Sequence, residues 1–232
     1  IAGIGLAGEL GAAITLVSEV LAKELRSAAA GVVAGFGLLG SVAAALIGEL
    51  LGWRFAYALG GALGLVLLLV RLKSGESAVF AKISLDSSLS RGSFFAFFKN
   101  KDRFLRYIRC IGLGVPVWLV VGIFATLAPD LAHARGLAFE VQASLAVLLV
   151  YVGLALGDLT SGVLSHKFAS RRGVIFGFML AAFVLSLVHL LWNCQSETLY
   201  YAGFLLLGIA VGYWAIFVLT TAESFGTNLR AT

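Results

Sequence analysis

Two acidic residues, Glu9 and Asp158, lie inside long apolar stretches of the sequence. Glu9 precedes Glu19 by ten residues and Asp158 precedes His166 by eight, so in helical membrane spans they lie about 15 Å and about 12 Å from the ends. A charge inside a bilayer costs about 2.5–3.5 kcal/mol and commonly marks an ion or substrate pathway. We predict that Glu9 exchanges a proton or contacts a solute and that Asp158 exchanges a proton. The alternative for Glu9 is a hydrogen bond between helices. The alternatives for Asp158 are an ion pair with a basic residue that anchors a cytoplasmic gate, and packing against helix ends.

A second group of charged residues lies at the ends of apolar stretches. Helix C-termini carry a partial negative charge, so basic groups beside them hold neighbouring ends together. Contacts that break and re-form bias a protein between closed and open states. We therefore predict a gate on one side of the membrane. Its candidate residues are Glu19, Arg26, Lys167, Arg171, Arg172, Glu223 and Arg230.

Aromatic residues inside the apolar stretches supply a third kind of chemistry. Trp118, Tyr213 and Trp214 are the main candidates, because an aromatic face stacks on a ring or meets a cation. Packing in the core or against lipid is the alternative for each. Pro116 lies two residues before Trp118 and interrupts the hydrogen bonds of its helix, so we expect a bend there.

The sequence has no arrangement typical of an enzyme or a metal site. The three histidines are scattered, and no cluster of His, Cys and Asp has metal-ligand spacing. There is neither a nucleophile elbow nor a P-loop. Residues 3–8 fit G-x-G-x-x-G, but they lie in an apolar stretch without the strand that a dinucleotide site requires. We expect no enzyme activity, no cofactor and no metal.

The composition indicates that membrane helices position all these residues. Apolar residues make up 60% of the 232 and charged residues 12%, about half the ~25% of a soluble domain. The apolar runs do not alternate with polar residues, which excludes a membrane β-barrel. A membrane helix needs about 20 mostly apolar residues. Seven stretches qualify, at roughly 1–22, 28–51, 53–72, 105–128, 142–165, 173–192 and 198–221.

The basic residues set the orientation. All but Arg54 and Arg135 of the 17 Lys and Arg fall in alternate loops on one side, which the positive-inside rule makes cytoplasmic. The net charge of +5 fits these basic loops, so we expect a bilayer and no nucleic acid as partner. The Ser-rich, charged stretch 73–103 is the one linker, and it separates three spans from four.

An internal repeat relates the first span to the last. Residues 19–26 and 223–230 both read Glu-x6-Arg with Leu before the Arg, and both follow a span on the cytoplasmic side. Six spans separate them, so the repeat is parallel, which is one known design of transporters.

With these features the chain resembles the major facilitator superfamily over its whole length. Residues 5–9, Glu19 and Arg26 are similar to the family's fourth helix and the loop after it, and 52–54 to the outer turn between helices five and six. Residues 162–172 resemble the second-half copy of the cytoplasmic motif G-x-L-x-D-R-x-G-R-R. Here His166 replaces the Asp and Ser170 the Gly.

The resemblance implies an all-α polytopic membrane protein containing seven helices of a twelve-helix bundle. Residues 1–72 would form the last three helices of the N-terminal half, 73–103 the linker, and 104–232 the first four helices of the C-terminal half. We expect an internal piece that lacks the first three and last two helices. Because helices seven and ten line the cavity in the family, Trp118, Tyr213 and Trp214 become candidates for the substrate cavity.

The resemblance also implies secondary active transport of a small polar metabolite by alternating access, with an organic anion or sugar acid favoured. We expect coupling to an ion, a proton above all, and a monomer in a bacterial inner membrane. The alternatives are a seven-helix receptor and a membrane scaffold without transport. A retinal protein is disfavoured, because residues 198–221 contain no Lys for a Schiff base.

Overall fold

The computed structural model describes residues 16–17, 20–22, 25–72, 98, 100–192 and 195–225. These residues form helices and short connections, with no strand among them. The helices, in chain order, are α1 (Arg26–Leu51), α2 (Trp53–Leu72), α3 (Lys101–Trp118), a π-helix (Leu119–Ala125), α4 (Ala128–Ala134), α5 (Ala143–Lys167), α6 (Arg171–Leu191), α7 (Glu197–Val211) and α8 (Trp214–Ser224).

Six helical stretches in the described ranges are long and apolar enough to cross a membrane. They match six of the seven predicted spans and confirm the all-α polytopic class. The seventh, at 1–22, falls almost entirely outside the described residues, as does most of the predicted linker at 73–103. The spans are Arg26–Leu51, Trp53–Val70, Lys101–Ala125, Ala143–Lys167, Arg171–Leu191 and Glu197–Ser224.

The first span after the linker begins earlier than its apolar stretch predicts. The side-chain oxygen of Asn100 accepts hydrogen bonds from the backbone N–H groups of Asp102 (2.8 Å) and Arg103 (3.4 Å). This is an N-cap, which satisfies amides that the first turn of a helix leaves without partners. The cap therefore sets the start of α3 at Lys101, although the apolar run begins at about 105.

The same span changes its hydrogen-bond pattern in the middle. Pro116 lies inside α3 and has no N–H to donate, and the chain continues from Leu119 to Ala125 as a π-helix. Such wide turns are rare and occur frequently at functional sites. The predicted disturbance at Pro116 thus takes the form of a change from α- to π-helix.

The last span is broken, which the sequence interpretation did not predict. Its helix ends at Val211, Gly212 and Tyr213 interrupt it, and α8 begins at Trp214. At this break two backbones approach closely, because a Cβ on Gly212 would overlap the Cα of Gly157 in α5. The span predicted at 198–221 is confirmed as Glu197–Ser224, and the structure divides it into two helices.

Helix α5 is the central element and packs against α1 on one side and α7 on the other. Both contacts rely on glycine. A Cβ on Gly153 would come within 3.0 Å of the Cα of Gly208 in α7, and one on Gly162 within 3.3 Å of the Cα of Gly31 in α1. Small residues allow this approach of backbones in membrane proteins, where lipid offers helices no hydrophobic drive to associate.

Candidate functional site

Charged side chains from three helices meet at one end of the bundle. Glu223 near the end of α8 accepts a hydrogen bond on Oε1 from Arg26 Nη1 of α1 at 3.2 Å, and one on Oε2 from Arg171 Nη1 of α6. Arg171 Nε also donates to Ser27 Oγ at 2.7 Å. We call Arg26, Ser27, Arg171 and Glu223 the gate cluster, and the end of the bundle that holds it the gate end.

The charges of the gate cluster oppose the dipoles of their own helices. Arg26 and Arg171 are the first residues of α1 and α6, where the dipole favours negative charge, and Glu223 lies in the last turn of α8, where it favours positive charge. None of the three therefore stabilises its own helix. Their side chains are only 19–23% exposed. These side chains therefore stabilise the bundle through the ion pairs and hydrogen bonds that join α1, α6 and α8.

Three of the seven predicted gate residues thus meet in one cluster. Lys167 and Arg172 lie near the same end with exposed side chains. Glu19 and Arg230 lie outside the described residues. The sequence interpretation missed Ser27, although it directly follows the Arg of the repeated Glu-x6-Arg pattern.

Asp158 lies in the middle of α5 and is fully buried. Its Oδ1 accepts a hydrogen bond from the backbone N–H of Ala215 in α8 at 2.9 Å. Among the described residues, Oδ2 has no hydrogen-bond partner, and no basic side chain pairs with the carboxyl group. The ion pair considered for Asp158 is therefore replaced, in the described part of the chain, by a bond to a helix N-terminus.

The two predicted tryptophans meet across an apolar groove of about 450 Å³ between α3 and α8. The rings of Trp118 and Trp214 pack edge to face, with centroids 5.6 Å apart and planes at 88°. Phe217 packs beside Trp214 at 5.4 Å, and Gly114 leaves room for it, since a Cβ there would lie 3.2 Å from the Phe217 ring. The remaining wall is aliphatic and consists of Ile111, Val115, Leu119 and Ile123.

Tyr213, the third aromatic candidate, does not line this groove. Its side chain is fully buried, and its hydroxyl donates to the carbonyl oxygen of Leu113 in α3 at 2.8 Å. Tyr213 therefore ties the break after α7 to α3. The predicted aromatic trio divides into a pair that faces open space and one residue that holds the scaffold.

Glu9, the other predicted carboxyl group, lies outside the described residues. No group of His, Cys, Asp and Glu in the described ranges has an arrangement that could hold a metal ion. The chemistry available in the described part of the chain is thus an aromatic groove, one buried carboxyl group and a charged closure.

Comparison with known proteins identifies the family of the chain. The family model described as Major Facilitator Superfamily matches residues 1–232. The chain is 26% identical over 245 residues to a "Probable 4-methylmuconolactone transporter" of Cupriavidus pinatubonensis (strain JMP 134 / LMG 1197), covering 99% of this chain and 55% of that protein. A comparison with solved structures gives no match.

A second relative has a different named substrate. The chain is 27% identical over 242 residues to the "Putative niacin/nicotinamide transporter NiaP" of Bacillus subtilis (strain 168), covering 99% of this chain and 58% of that protein. The chain thus spans little more than half the length of these curated relatives. Because the family match covers every residue, the helical chain with its gate cluster and aromatic groove belongs to the major facilitator superfamily.

Proposed function

We propose that this chain is part of a secondary transporter that moves a small organic solute with a flat ring across a membrane by alternating access. The observation that carries the proposal is the aromatic groove, in which Trp118 and Trp214 stand edge to face in an almost wholly apolar wall. Such a wall offers a flat ring stacking and apolar contact but few hydrogen bonds for a polyhydroxylated sugar.

The names of the relatives fit this choice of solute. 4-Methylmuconolactone and niacin are both small ring compounds that carry a carboxyl group, and nicotinamide is the amide of the second. Of the two solute classes expected from the sequence, the apolar groove favours an organic anion with a flat ring over a polyhydroxylated sugar acid, through the ring and not through the charge. A ring acid or its amide is the class that we propose.

The gate cluster supplies the closure that alternating access requires. It joins α1, which belongs to the expected N-terminal half at 1–72, to α6 and α8 of the expected C-terminal half at 104–232. By the distribution of basic residues this end is cytoplasmic. We propose that the contacts hold the cytoplasmic side closed and break when the two halves rock.

Proton coupling is the finer part of the proposal. Asp158 is a buried carboxyl group about 12 Å from the gate cluster, since eight residues of α8 separate Ala215 from Glu223. Glu9 is the second candidate. A monomer in a bacterial inner membrane, with lipid and a solute as its partners, completes the proposal.

Uptake into proteoliposomes tests the solute class. The full-length carrier is assayed with niacin, nicotinamide, a muconolactone and glucuronate, with and without a proton gradient. Trp118→Ala should raise the KM for the ring solutes about fivefold, because an aromatic contact contributes about 1 kcal/mol. Trp118→Phe should restore most of the affinity.

Trp53→Ala is the matched control, because Trp53 begins α2 with an exposed side chain away from the groove. Transport of glucuronate in preference to niacin, nicotinamide and the muconolactone would overturn the proposed solute class. Equal KM values for the Trp118→Ala and wild-type carriers would remove the groove from the site.

A further inference from the structure

Helix α8, the second of the two helices in the last span, depends on another helix for the capping of its N-terminus. The first amides of any helix lack partners within it, and inside a bilayer water cannot supply them. Tyr213 occupies the N-cap position of α8 and makes no capping hydrogen bond with its side chain. Asp158 of α5 accepts from Ala215 N–H, the second residue of α8, and thereby does the work of an N-cap from a neighbouring helix.

Two successive residues of α5, Gly157 and Asp158, contact the break and the start of α8. Gly157 has no Cβ, so Gly212 comes up against its backbone, and a Cβ on Gly212 would also lie 2.8 Å from Asp158 N. Asp158 is the next residue in the chain, and its side chain reaches the amide that the break exposes. The break is therefore the point at which α5 packs against the chain that leads into α8.

Helix α8 connects the two other parts of the candidate site. Trp214, its first residue, packs on Trp118 at the groove, and Glu223, near its last residue, bonds to Arg26 and Arg171 at the gate end. Nine residues separate Trp214 from Glu223, about 13.5 Å along the helix. With only 11 residues, α8 is shorter than helices that are stable alone, so contacts at its ends determine where it lies.

We propose that Asp158 is a positioning residue that fixes α8. The Trp118–Trp214 pair at one end of α8 and the gate cluster at its other end are thereby held at a constant distance and orientation. A ring solute that displaces Trp214 then moves Glu223 as well, and binding in the groove is transmitted to the closure. The link to solute binding rests on the proposed function. The holding of α8 by Asp158 does not rest on it, and it is tested without any solute.

Three variants of the full-length carrier separate this role from others. Asp158→Leu keeps much of the shape but removes the acceptor for Ala215 N–H. Asp158→Asn keeps an acceptor oxygen and removes the charge, and Asn is as good an N-cap as Asp. Asp130→Ala is the matched control, because Asp130 lies exposed in the first turn of α4, outside the groove and the gate cluster.

The first readout is the exciton-coupled ultraviolet circular dichroism of the tryptophan pair. Trp118→Phe removes this band and identifies it. The second readout is the labelling rate of Ser165→Cys by a membrane-impermeant maleimide, with Cys110 and Cys194 replaced by serine. Ser165 is 3% exposed, lies one turn from Gly162 on α5, and its hydroxyl has no hydrogen-bond partner among the described residues, so cysteine should fit there.

Asp158→Leu should lose the exciton band and label about tenfold faster or more, because the hydrogen bond is lost and Ala215 N–H is left buried without a partner. Asp158→Asn should retain the band and label within about twofold of wild type, since its oxygen still caps α8. Asp130→Ala should change neither readout.

The inference is overturned if Asp158→Leu keeps both readouts at wild type, or if Asp158→Asn loses the band as completely as Asp158→Leu. Should Asp158→Leu not fold, Asp158→Ala takes its place in the same comparison with Asp158→Asn. Uptake is then measured separately. Lost proton-driven accumulation with an intact band in Asp158→Asn supports coupling through the carboxyl group. A lost band in Asp158→Leu establishes the positioning role whether or not any solute of the panel is carried.

Discussion

The two halves of helix α1 have similar compositions and opposite surroundings. All of its buried residues lie between Ser27 and Gly35, at the gate end, where Gly31 would place a Cβ 2.6 Å from the carbonyl oxygen of Asp158. In the other half, no atom of another described helix lies within 4 Å of a would-be Cβ on Gly37, Gly40 or Gly48. Glycine content therefore does not determine contact; position along the helix does.

This difference shows where α1 packs against the other described helices. At the gate end, α1 meets α5 backbone to backbone and is joined to α6 and α8 through the gate cluster. Beyond Gly35 no residue of α1 is buried, and the candidate span of α2 contains no buried residue either. Among the described residues, α1 is therefore held at the gate end. Other helices also meet at the opposite end, where Arg135 donates to the carbonyl oxygens of His189 and Trp192.

The largest effect is expected where the backbones of α1 and α5 touch. Gly31→Leu would drive a side chain into the backbone of Asp158, and over-packing of this kind costs about 3 kcal/mol. We expect a thermal midpoint lower by about 6 °C or more in detergent, since 1 kcal/mol shifts it by about 2–4 °C in a domain of this size. Gly40→Leu, in the open half of the same helix, should leave the midpoint nearly unchanged. Equal losses in both variants would contradict the contrast between the two halves.

An intermediate effect is expected from the charged closure. Arg171→Ala removes the bonds to Glu223 and Ser27, and we expect labelling of Ser165→Cys to accelerate about tenfold, because charge-assisted hydrogen bonds contribute about 1.5–3 kcal/mol. Arg172→Ala is the matched control, since the next residue in α6 has an exposed side chain. If the Arg172→Ala carrier labels as fast as the Arg171→Ala carrier, net charge and not the gate cluster holds this end closed.

The smallest effect is expected on the open side. Gly60 and Gly64 of α2 are four residues apart, as Gly153 and Gly157 are, yet no atom of another helix in the described ranges lies within 4 Å of a Cβ at either. Replacing both with alanine should raise the thermal midpoint slightly, because each change stabilises a helix by up to about 1 kcal/mol. A lower midpoint in the full-length carrier would show that another helix packs on this face of α2, and the contrast between α2 and α5 would then no longer hold.

The spans and their class were predictable because each is a long apolar run whose length a bilayer fixes. The break at Gly212 was not, since it depends on Gly157, which is far away in the sequence and adjacent only once α5 and α7 pack. No local pattern distinguishes Gly212 from the glycines of α2. Hydropathy also treats the region as one run, because the apolar residues on both sides of Tyr213 and Trp214 dominate the mean over a span.

The candidate site was predictable in kind more than in arrangement. Charges placed at span ends pointed to Arg26, Arg171 and Glu223, and the structure brings these three together. Which aromatic residue faces the groove could not be derived, because the helix break sets the directions of Tyr213 and Trp214. Packing against helix ends was one of the alternatives for Asp158, but the helix that it meets could not be derived, since a backbone amide leaves no signal in the residue types.

The π-helix at Leu119–Ala125 has a consequence for how this groove can change over evolution. A residue gained or lost in a helix rotates everything beyond it by about 100°, but a wide turn absorbs such a change locally. Before it, α3 presents Trp118 to the groove; within it, Val120 and Phe124 are packed in the core, and Thr126 Oγ1 donates to the Val121 carbonyl that the altered pattern leaves available. The two parts of this span are therefore set in phase independently. A single insertion or deletion at this turn would alter the part of the groove wall that Leu119 and Ile123 form, while the Asn100 cap and the core hold Trp118 and both flanks in place.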